Sequence, residues 1–205
     1  MIDIRNSFVF SIVIIACFIL SAGCSSESRI KGDVSVTLSA NDWENYVGDD
    51  IGIWVSISGQ EFMLIEDYKI IKQYRCSTAK TGAGNKADSG MTPLGWHKIS
   101  AKVGGELEMG AVLKDREWTG EVWNSEQDTK EDLILSRILR LEGLEEGINR
   151  GEDVDTWSRY IYIHGTNQIA DLGRRVSAGC VRLSPQDVTE LYDMVDEGCP
   201  VLITN

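Results

Sequence analysis

The sequence YIYIHGT, residues 160–166, alternates aromatic and β-branched side chains and ends on histidine, glycine and threonine. Alternation with a period of two predicts a strand whose side chains point to two opposite faces. Ile161 and Ile163 then share one face, and the other face carries Tyr160, Tyr162 and His164. We therefore expect a strand that delivers the His164 imidazole to the mouth of a sheet.

Further along the chain, SAGCVRL at residues 177–183 places Cys180 beside a glycine. A thiol nucleophile needs a base within hydrogen-bond reach and donors for the oxyanion that forms on attack. His164 can supply the base. Gly179 would let the backbone approach a carbonyl closely and leave the Cys180 amide free to donate. A lone Cys or a lone His is more often structural, so the hypothesis of a nucleophilic site depends on the two together.

The remaining sequence predicts a mainly β fold. Strand-like runs lie at residues 53–57, 60–65, 70–76, 96–100 and 201–203. The polar connection 66–69 between two of these runs predicts a hairpin, and the glycine-rich stretch 81–90 predicts a loop. Residues 133–141 fit a helix or a strand: the apolar residues at 134, 135, 138 and 139 have helical spacing, whereas alternation around Arg137 and Arg140 also suits a strand. The fold class is therefore mainly β with one or two helices.

The clearest helix follows Ser184, which is a good N-cap. Pro185 fits the first helical position, and Asp187 lies three residues after the cap. One face of the predicted helix is apolar, and Gly198 is a plausible stop. The apolar face consists of Val188, Leu191, Tyr192 and Val195.

Composition excludes several function classes. The 205 residues carry 20 Lys+Arg against 32 Asp+Glu, a formal net charge of −12. Duplex nucleic-acid binding requires a basic surface, and electrostatic docking on anionic lipid requires one too. We therefore expect no nucleic-acid partner and interpret the acidic excess as a solvated surface.

The amino terminus has the organisation of an export signal. Arg5 precedes an apolar run from Phe8 to Leu20, followed by small residues. The ending LSAGC at residues 20–24 resembles a bacterial lipoprotein lipobox, with Ser21 where a branched apolar residue is usual. That resemblance implies a signal peptide at 1–23, lipidation of Cys24 and a membrane anchor. The alternatives are an uncleaved anchor and a signal cut without lipidation.

The same resemblance favours the outer membrane of a diderm bacterium, facing the periplasm, because Ser25 rather than aspartate follows Cys24. We expect residues 24–50 to form a polar tether and 51–205 the folded domain. Of the five cysteines, Cys76 and Cys199 read as small apolar residues, although a bridge between them stays open.

Several ordered segments resemble the L,D-transpeptidase (YkuD-like) catalytic domain, over roughly residues 58 to 205. They are the segment at 160–166, the segment at 177–183, TPLG at 92–95, SRIL at 136–139, Asp187 and VLI at 201–203. The resemblance implies a β-sandwich or barrel-like fold and an enzyme that acts on peptidoglycan. It needs no cofactor and no metal.

The resemblance also implies roles for individual residues. Cys180 would be the nucleophile that attacks the third residue of a stem tetrapeptide, and His164 would form the thiolate, lowering the pKa of Cys180. D-Ala would leave, and an amine of a second stem would resolve the thioester. Gly179 and Ser177 would form the oxyanion turn. Residues that would position the substrate are Arg182, Gly165, Thr166 and Tyr162; for Arg182, bracing of the turn is an equal alternative.

Other interpretations stay open. Many family members have His where this chain has Ala178, which affects the detailed geometry. Water as acceptor would give an L,D-carboxypeptidase or endopeptidase, and a catalytically silent wall-binding lipoprotein is the third hypothesis. His97 follows Trp96 in a predicted strand and is interpreted as structural. A zinc site made of His97, His164 and Cys180 is not favoured, because the three residues lack zinc-ligand spacing. Trp118 and Trp123 flank a predicted polar loop and are candidates for substrate contact.

Overall fold

The computed structural model describes residues 40–126, 129 and 131–205. The predicted signal segment, Cys24 and most of the predicted tether lie outside the described residues. The chain divides between Gly48 and Asp49. Before that point the structure describes one short helix, α1 (Ala40–Tyr46). The predicted boundaries at 23 and 50 stay predictions.

The unit that starts at Asp49 contains every described strand and the second α-helix. In chain order these are β1 (Gly52–Ser56), β2 (Glu61–Glu66), β3 (Lys69–Arg75), β4 (Gly95–Val103), β5 (Ala111–Lys114), β6 (Glu117–Val122), β7 (Ile134–Gly143), β8 (Tyr162–Thr166), β9 (Val181–Leu183), α2 (Pro185–Met194) and β10 (Pro200–Thr204). Two short 3₁₀ turns, Glu152–Val154 and Ile169–Asp171, lie in the loops. The predicted mainly β fold class with one or two helices is confirmed.

The strands form one mixed sheet in the order β3-β2-β1-β10-β4-β7-β5-β6, and β8 and β9 branch from β7. This path is open: its two ends are not paired with each other in the described residues. β8 pairs along one edge of β7. On the opposite edge, β5 pairs with the first residues of β7 and β4 pairs with the later ones. The pairs β1–β10 and β8–β9 are parallel, and the others are antiparallel. β7 therefore joins the main sheet to the strands that carry His164 and Cys180.

The predicted hairpin and the ambiguous segment both have a physical explanation. β2 and β3 pair from Glu66↔Lys69 outward, and Asp67 and Tyr68 both have positive φ, as a tight two-residue turn requires. β7 is a strand, but its register shifts beside Ser136, and nearly all of its residues are buried on both faces. Burial of both faces removes the alternation that identifies a strand from sequence.

The predicted helix after Ser184 is confirmed at its start, but it ends at Met194 and not near Gly198, because Val195 is already extended, with φ −127° and ψ 147°. Ser184 Oγ accepts a hydrogen bond of 3.0 Å from the Asp187 amide, and Pro185 opens the helix. α2 packs against β7, β8 and β9. Its buried Val188 and Leu191 belong to the main core, together with fully buried side chains from the sheet that include Ile53, Phe62, Leu64, Ile99, Leu139, Leu141, Ile163 and Leu183. The helix thus supports the strands of the site from behind.

Two expectations about the strands are wrong. β8 begins at Tyr162 rather than Tyr160, because Tyr160 has φ +54° and belongs to the preceding turn. Trp118 does not border a loop: it lies in β6, which pairs with β5. No helix among the described residues has the length and apolar character needed to span a bilayer.

Candidate active site

The strand pairing places Cys180 and His164 on one face of neighbouring strands. β8 and β9 run parallel, with Ile163 opposite Val181 and His164 opposite Arg182. Cys180 immediately precedes β9, so it lies level with Tyr162. Same-face residues two positions apart on adjacent strands have Cα atoms about 8 Å apart, from the strand spacing and the rise per residue. The thiol and the imidazole are therefore diagonal neighbours on the same surface.

His164 is buried and held in one orientation. Its Nδ1 lies 2.8 Å from the Gly165 carbonyl oxygen, so Nδ1 carries the proton and donates it. Burial lowers the pKa of His164 to about 4, and the charge of Arg182 acts in the same direction. At neutral pH the ring is uncharged, and Nε2 keeps a lone pair that can accept a proton.

Cys180 is half-buried, and its sulfur contacts the backbone of β8 and of the turn before it. The Tyr162 amide donates to Sγ at 3.4 Å, and Sγ lies 3.7 Å from the Tyr160 carbonyl oxygen. Burial raises the pKa of Cys180 to about 11, although the Tyr162 amide and the charges of Arg182 and Arg159 oppose this shift.

The expectation that His164 lowers the pKa of Cys180 stays a prediction, because none of the contributions to the raised pKa comes from His164. One amide donor and two nearby guanidinium groups do not outweigh the burial of the sulfur. In the protein without substrate, burial therefore favours the neutral form of both the thiol and the imidazole.

The turn before Cys180 is fixed by hydroxyl groups. Ser177 Oγ donates to the Cys180 carbonyl at 2.6 Å and accepts from the Gly179 amide at 3.2 Å. Thr92 Oγ1 donates to the Gly179 carbonyl at 2.9 Å, so the TPLG segment reaches the site. The predicted oxyanion turn is well ordered, but the Gly179 amide already has an acceptor. The oxyanion role would then fall mainly on the Cys180 amide.

Gly179 is required at its position for two reasons. Its φ is +136°, a region that side chains disfavour, and an added Cβ would lie 3.1 Å from Ile161 Cδ1. Gly165 is equally restricted, since a Cβ there would meet the Leu135 carbonyl oxygen at 2.5 Å. Both glycines keep the backbone of the site close to its neighbours.

Arg182 is buried, and both terminal nitrogens have partners. Nη1 donates to Gln168 Oε1 at 2.9 Å, and Nη2 forms an ion pair with Asp132. This geometry favours bracing over the capture of a substrate carboxylate. Thr166 is buried, and its Oγ1 accepts from the Gln168 amide at 3.1 Å. Tyr162 is buried, and its Oη accepts from Arg116 Nη1 at 3.0 Å.

The structure brings further residues to the site that sequence reasoning missed. Arg116, on the β5–β6 hairpin, and Arg140, in β7, both lie near the two tyrosines before His164. Asp132 reaches Arg182 from the loop before β7. No local pattern could have identified these residues, because each is brought to the site by strand pairing with a distant segment.

The other titratable candidates are structural. His97 is buried, with Nδ1 3.0 Å from the Gly95 carbonyl and Nε2 3.1 Å from Thr156 Oγ1. Cys76 and Cys199 are free thiols, as is Cys180. Within the described residues no group of three or more His, Cys, Asp or Glu is arranged to hold a metal ion.

Comparison with known proteins identifies a family over most of the chain. Residues 50–203 match the model of the L,D-transpeptidase catalytic domain, YkuD. The YkuD protein of Bacillus licheniformis is 48% identical over 42 residues, which are 20% of this chain and 26% of that protein. The YkuD protein of Bacillus subtilis is 49% identical over 41 residues, which are 20% of this chain and 25% of that protein. The chain thus spans about a quarter of the length of the curated relatives it matches.

Solved structures give a weaker likeness. An L,D-transpeptidase from Mycobacterium smegmatis is 22% identical, with a TM-score of 0.46 over 76% of this chain and 58% of that one. An L,D-transpeptidase from Mycobacterium tuberculosis is 19% identical, with a TM-score of 0.46 over 76% of this chain and 57% of that one. The match of the family model extends from the start of β1 into β10 and includes His164 and Cys180. On that match, the chain belongs to the L,D-transpeptidase catalytic domain (YkuD) family.

Proposed function

We propose that the protein is a peptidoglycan L,D-transpeptidase in which Cys180 is the nucleophile and His164 the base. The observation that carries this proposal is the position of the thiol and the imidazole on one face of β8 and β9, with Nε2 of His164 free to accept a proton. Family membership supplies the substrate class, the stem peptides of peptidoglycan.

The neutral pair determines how the first step runs. Cys180 Sγ attacks the carbonyl carbon of the third stem residue, and the thiol proton passes to His164 at the same time. The imidazolium and the oxyanion therefore form only as the tetrahedral intermediate forms. The Tyr162 amide stabilises the developing negative charge on sulfur, and the Cys180 amide is our candidate donor to the oxyanion.

Collapse of the intermediate breaks the carbon–nitrogen bond to D-Ala. The imidazolium of His164 returns the proton to the leaving amine, and the acyl group remains on Cys180 as a thioester. An acceptor amine from a second stem then attacks the thioester, loses a proton to His164 and forms the new amide. The thiolate that leaves takes the proton back from the imidazolium, which restores the starting state.

The export part of the proposal comes from the amino terminus. We propose that residues 1–23 are removed and that lipid on Cys24 anchors the domain to a membrane, facing the periplasm. Cells that express the full chain should incorporate labelled palmitate into it, and Cys24→Ala should abolish the label. Equal labelling of both proteins would contradict lipidation at Cys24.

Incubation with disaccharide-tetrapeptide, followed by mass analysis of the products, tests the reaction. Cross-linked dimers support transpeptidation, whereas disaccharide-tripeptide monomers indicate that water is the acceptor. The control is Cys180→Ala, which should form neither. Unchanged substrate with the wild-type protein would contradict both enzymatic assignments and favour a wall-binding protein.

A further inference from the structure

Arg140 lies in one row with the nucleophile across three neighbouring strands. It is directly opposite Tyr162 in the β7–β8 pairing, and Tyr162 lies level with Cys180 on the other side. Paired residues share a face of the sheet. The order across the face is therefore Arg140, Tyr162, Cys180. The spacing of neighbouring strands puts the backbones of Arg140 and Cys180 about 10 Å from each other.

The Arg140 guanidinium is packed against aromatic rings. Its Cζ lies 3.3 Å from the centroid of Trp157 and 5.1 Å from that of Tyr160, and Nη2 donates to the Trp157 carbonyl at 2.9 Å. Arg140 is only 9% exposed, and its Nε has no hydrogen-bond partner among the described residues. A buried guanidinium with an unsatisfied N–H donor destabilises the fold unless another group accepts that hydrogen bond.

Arg116 approaches the same rings from the tip of the β5–β6 hairpin. Asp115 and Arg116 both have positive φ, +51° and +69°, which is uncommon for residues other than glycine. Arg116 Cζ lies 5.4 Å from the Tyr160 centroid, and its Nη1 donates to Tyr162 Oη. Two guanidinium groups therefore converge on the tyrosine pair that adjoins the sulfur.

In the part of the chain that the structure describes, these two cations have no counter-ion in contact. Among the described residues neither Arg116 nor Arg140 has a carboxylate within ion-pair distance, although Asp115 and Asp155 act on them from farther away. Burial lowers the pKa of Arg140, and the charge of Arg116 lowers it further, so the two charges oppose each other. In a chain of net charge −12, this is a locally positive site that favours an anion.

We propose that Arg116 and Arg140 form a subsite for the terminal carboxylate of the donor peptide. The inference rests on the proposed function, and it names the group by which this site recognises its donor. When the scissile carbonyl carbon is at Cys180 Sγ, the carboxylate carbon of the next residue lies no more than about 4 Å from it, which is the span of one residue. Tyr160 and Tyr162 lie between the sulfur and the two arginines, along the path that the leaving residue would follow.

The subsite has a consequence for specificity. A donor that ends one residue after the scissile bond places its carboxylate between the guanidinium groups. A donor with that carboxylate capped leaves two cations unpaired, and charge-assisted hydrogen bonds are lost. Recognition of the chain end would therefore select donors that end one residue after the scissile bond.

The test compares two donors that differ only at the carboxyl end. Disaccharide-tetrapeptide is offered as the free acid and as the carboxamide, and kcat/KM is measured for release of the terminal residue. We expect the wild-type protein to prefer the acid at least tenfold, mainly through KM. Arg116→Gln should reduce this ratio towards one, and Arg116→Lys should restore part of it. Lys114→Gln, which removes the same charge from the same hairpin, should keep the wild-type ratio.

Two outcomes overturn the subsite. Equal use of acid and carboxamide by the wild-type protein contradicts it, and so does an acid preference that Arg116→Gln leaves intact. Calorimetric binding of both donors to Cys180→Ala separates this proposal from the reaction itself. Acid-selective binding that Arg116→Gln abolishes would uphold the subsite even if the wild-type protein released no product, whereas turnover without selectivity would uphold the reaction and reject the subsite.

Discussion

Cys180 and His164 share a surface on which burial favours the neutral form of both groups. The lone pair on His164 Nε2 is available only because the Gly165 carbonyl holds the proton on Nδ1. On the proposed mechanism, the reactivity of the sulfur depends on transfer of its proton during attack, and not on a standing thiolate.

Replacement of His164 should remove the base and leave the fold. We expect His164→Ala to slow acylation of Cys180 by a carbapenem at least 100-fold, in line with loss of a general base. Intact-protein mass spectrometry measures the adduct over time. The control uses the only other histidine: His97→Gln disturbs a buried site but should acylate within a few-fold of wild type. Equal rates in His164→Ala and wild type would remove His164 from the reaction.

Alkylation of Cys180 by iodoacetamide should report its raised pKa. Without substrate, the rate at the Cys180 peptide should keep rising with pH towards about 11, because burial favours the protonated thiol. Peptide mapping distinguishes Cys180 from Cys199, whose pKa is raised to about 12. A rate that is already constant at pH 7 would show a preformed thiolate and contradict the neutral pair.

At the residue scale the sequence predicts the candidate pair, Cys180 and His164, but not the residues that surround it. The alternation of YIYIHGT and the glycine beside Cys180 identify two segments whose side chains meet. The partners of Arg182 and the approach of Arg116 depend on chain contacts across 50 and 46 residues. Local periodicity carries no information about such contacts, and burial, which determines the pKa of Cys180, emerges only from packing.

At the scale of elements, α2 is the support on which β7, β8 and β9 rest. Ser184 caps its first turn, and the buried Val188 and Leu191 fix its distance from the strands. Weakening the cap should therefore loosen the platform of the site without touching a reacting atom.

Ser184→Ala should lower the free energy of unfolding by about 1 kcal/mol, because the Asp187 amide loses its acceptor. Ser184→Asp retains an acceptor and should stay within a few tenths of a kcal/mol of wild type. Urea denaturation followed by circular dichroism measures both. If the two variants are equally destabilised, the cap is not the cause.

Elements differ in how far sequence could predict them. The β2–β3 hairpin and the start of α2 carry their own turn and cap residues, so both are predicted correctly, whereas α2 ends at Met194, before the predicted stop at Gly198. β7 stays ambiguous because both faces are buried and Ser136, at φ +67°, interrupts its register. The sequence gives no sign of β6 because all but one of its residues are exposed, which leaves no buried face to produce a pattern.

For the whole molecule, two buried histidines link stability to pH. Burial lowers the pKa of both His97 and His164 to about 4, whereas the unfolded chain has ordinary values near 6.5. Between these values the unfolded state binds more protons, so the folded state loses stability as pH falls from about 6.5 towards 4. Each histidine lowers the free energy of unfolding by on the order of 3 kcal/mol between pH 6.5 and pH 4.

Urea denaturation at pH 7, 6 and 5 should show this loss, since most carboxylates remain ionised there. His97→Gln removes one of the two groups and should reduce the slope of stability against pH by about half, whatever it does to stability at pH 7. A slope unchanged by the substitution, or no slope above pH 5, would contradict the burial of neutral imidazoles as the cause.

The most direct measurement is the mass of the protein during turnover of disaccharide-tetrapeptide. If Cys180 carries the acyl group, a rapidly quenched sample gains the mass of the donor minus that of D-Ala, and peptide mapping locates the gain at Cys180. Cys180→Ala should show no gain. Release of D-Ala by the wild-type protein with no covalent species on Cys180, or equal release by Cys180→Ala, would contradict the thioester mechanism.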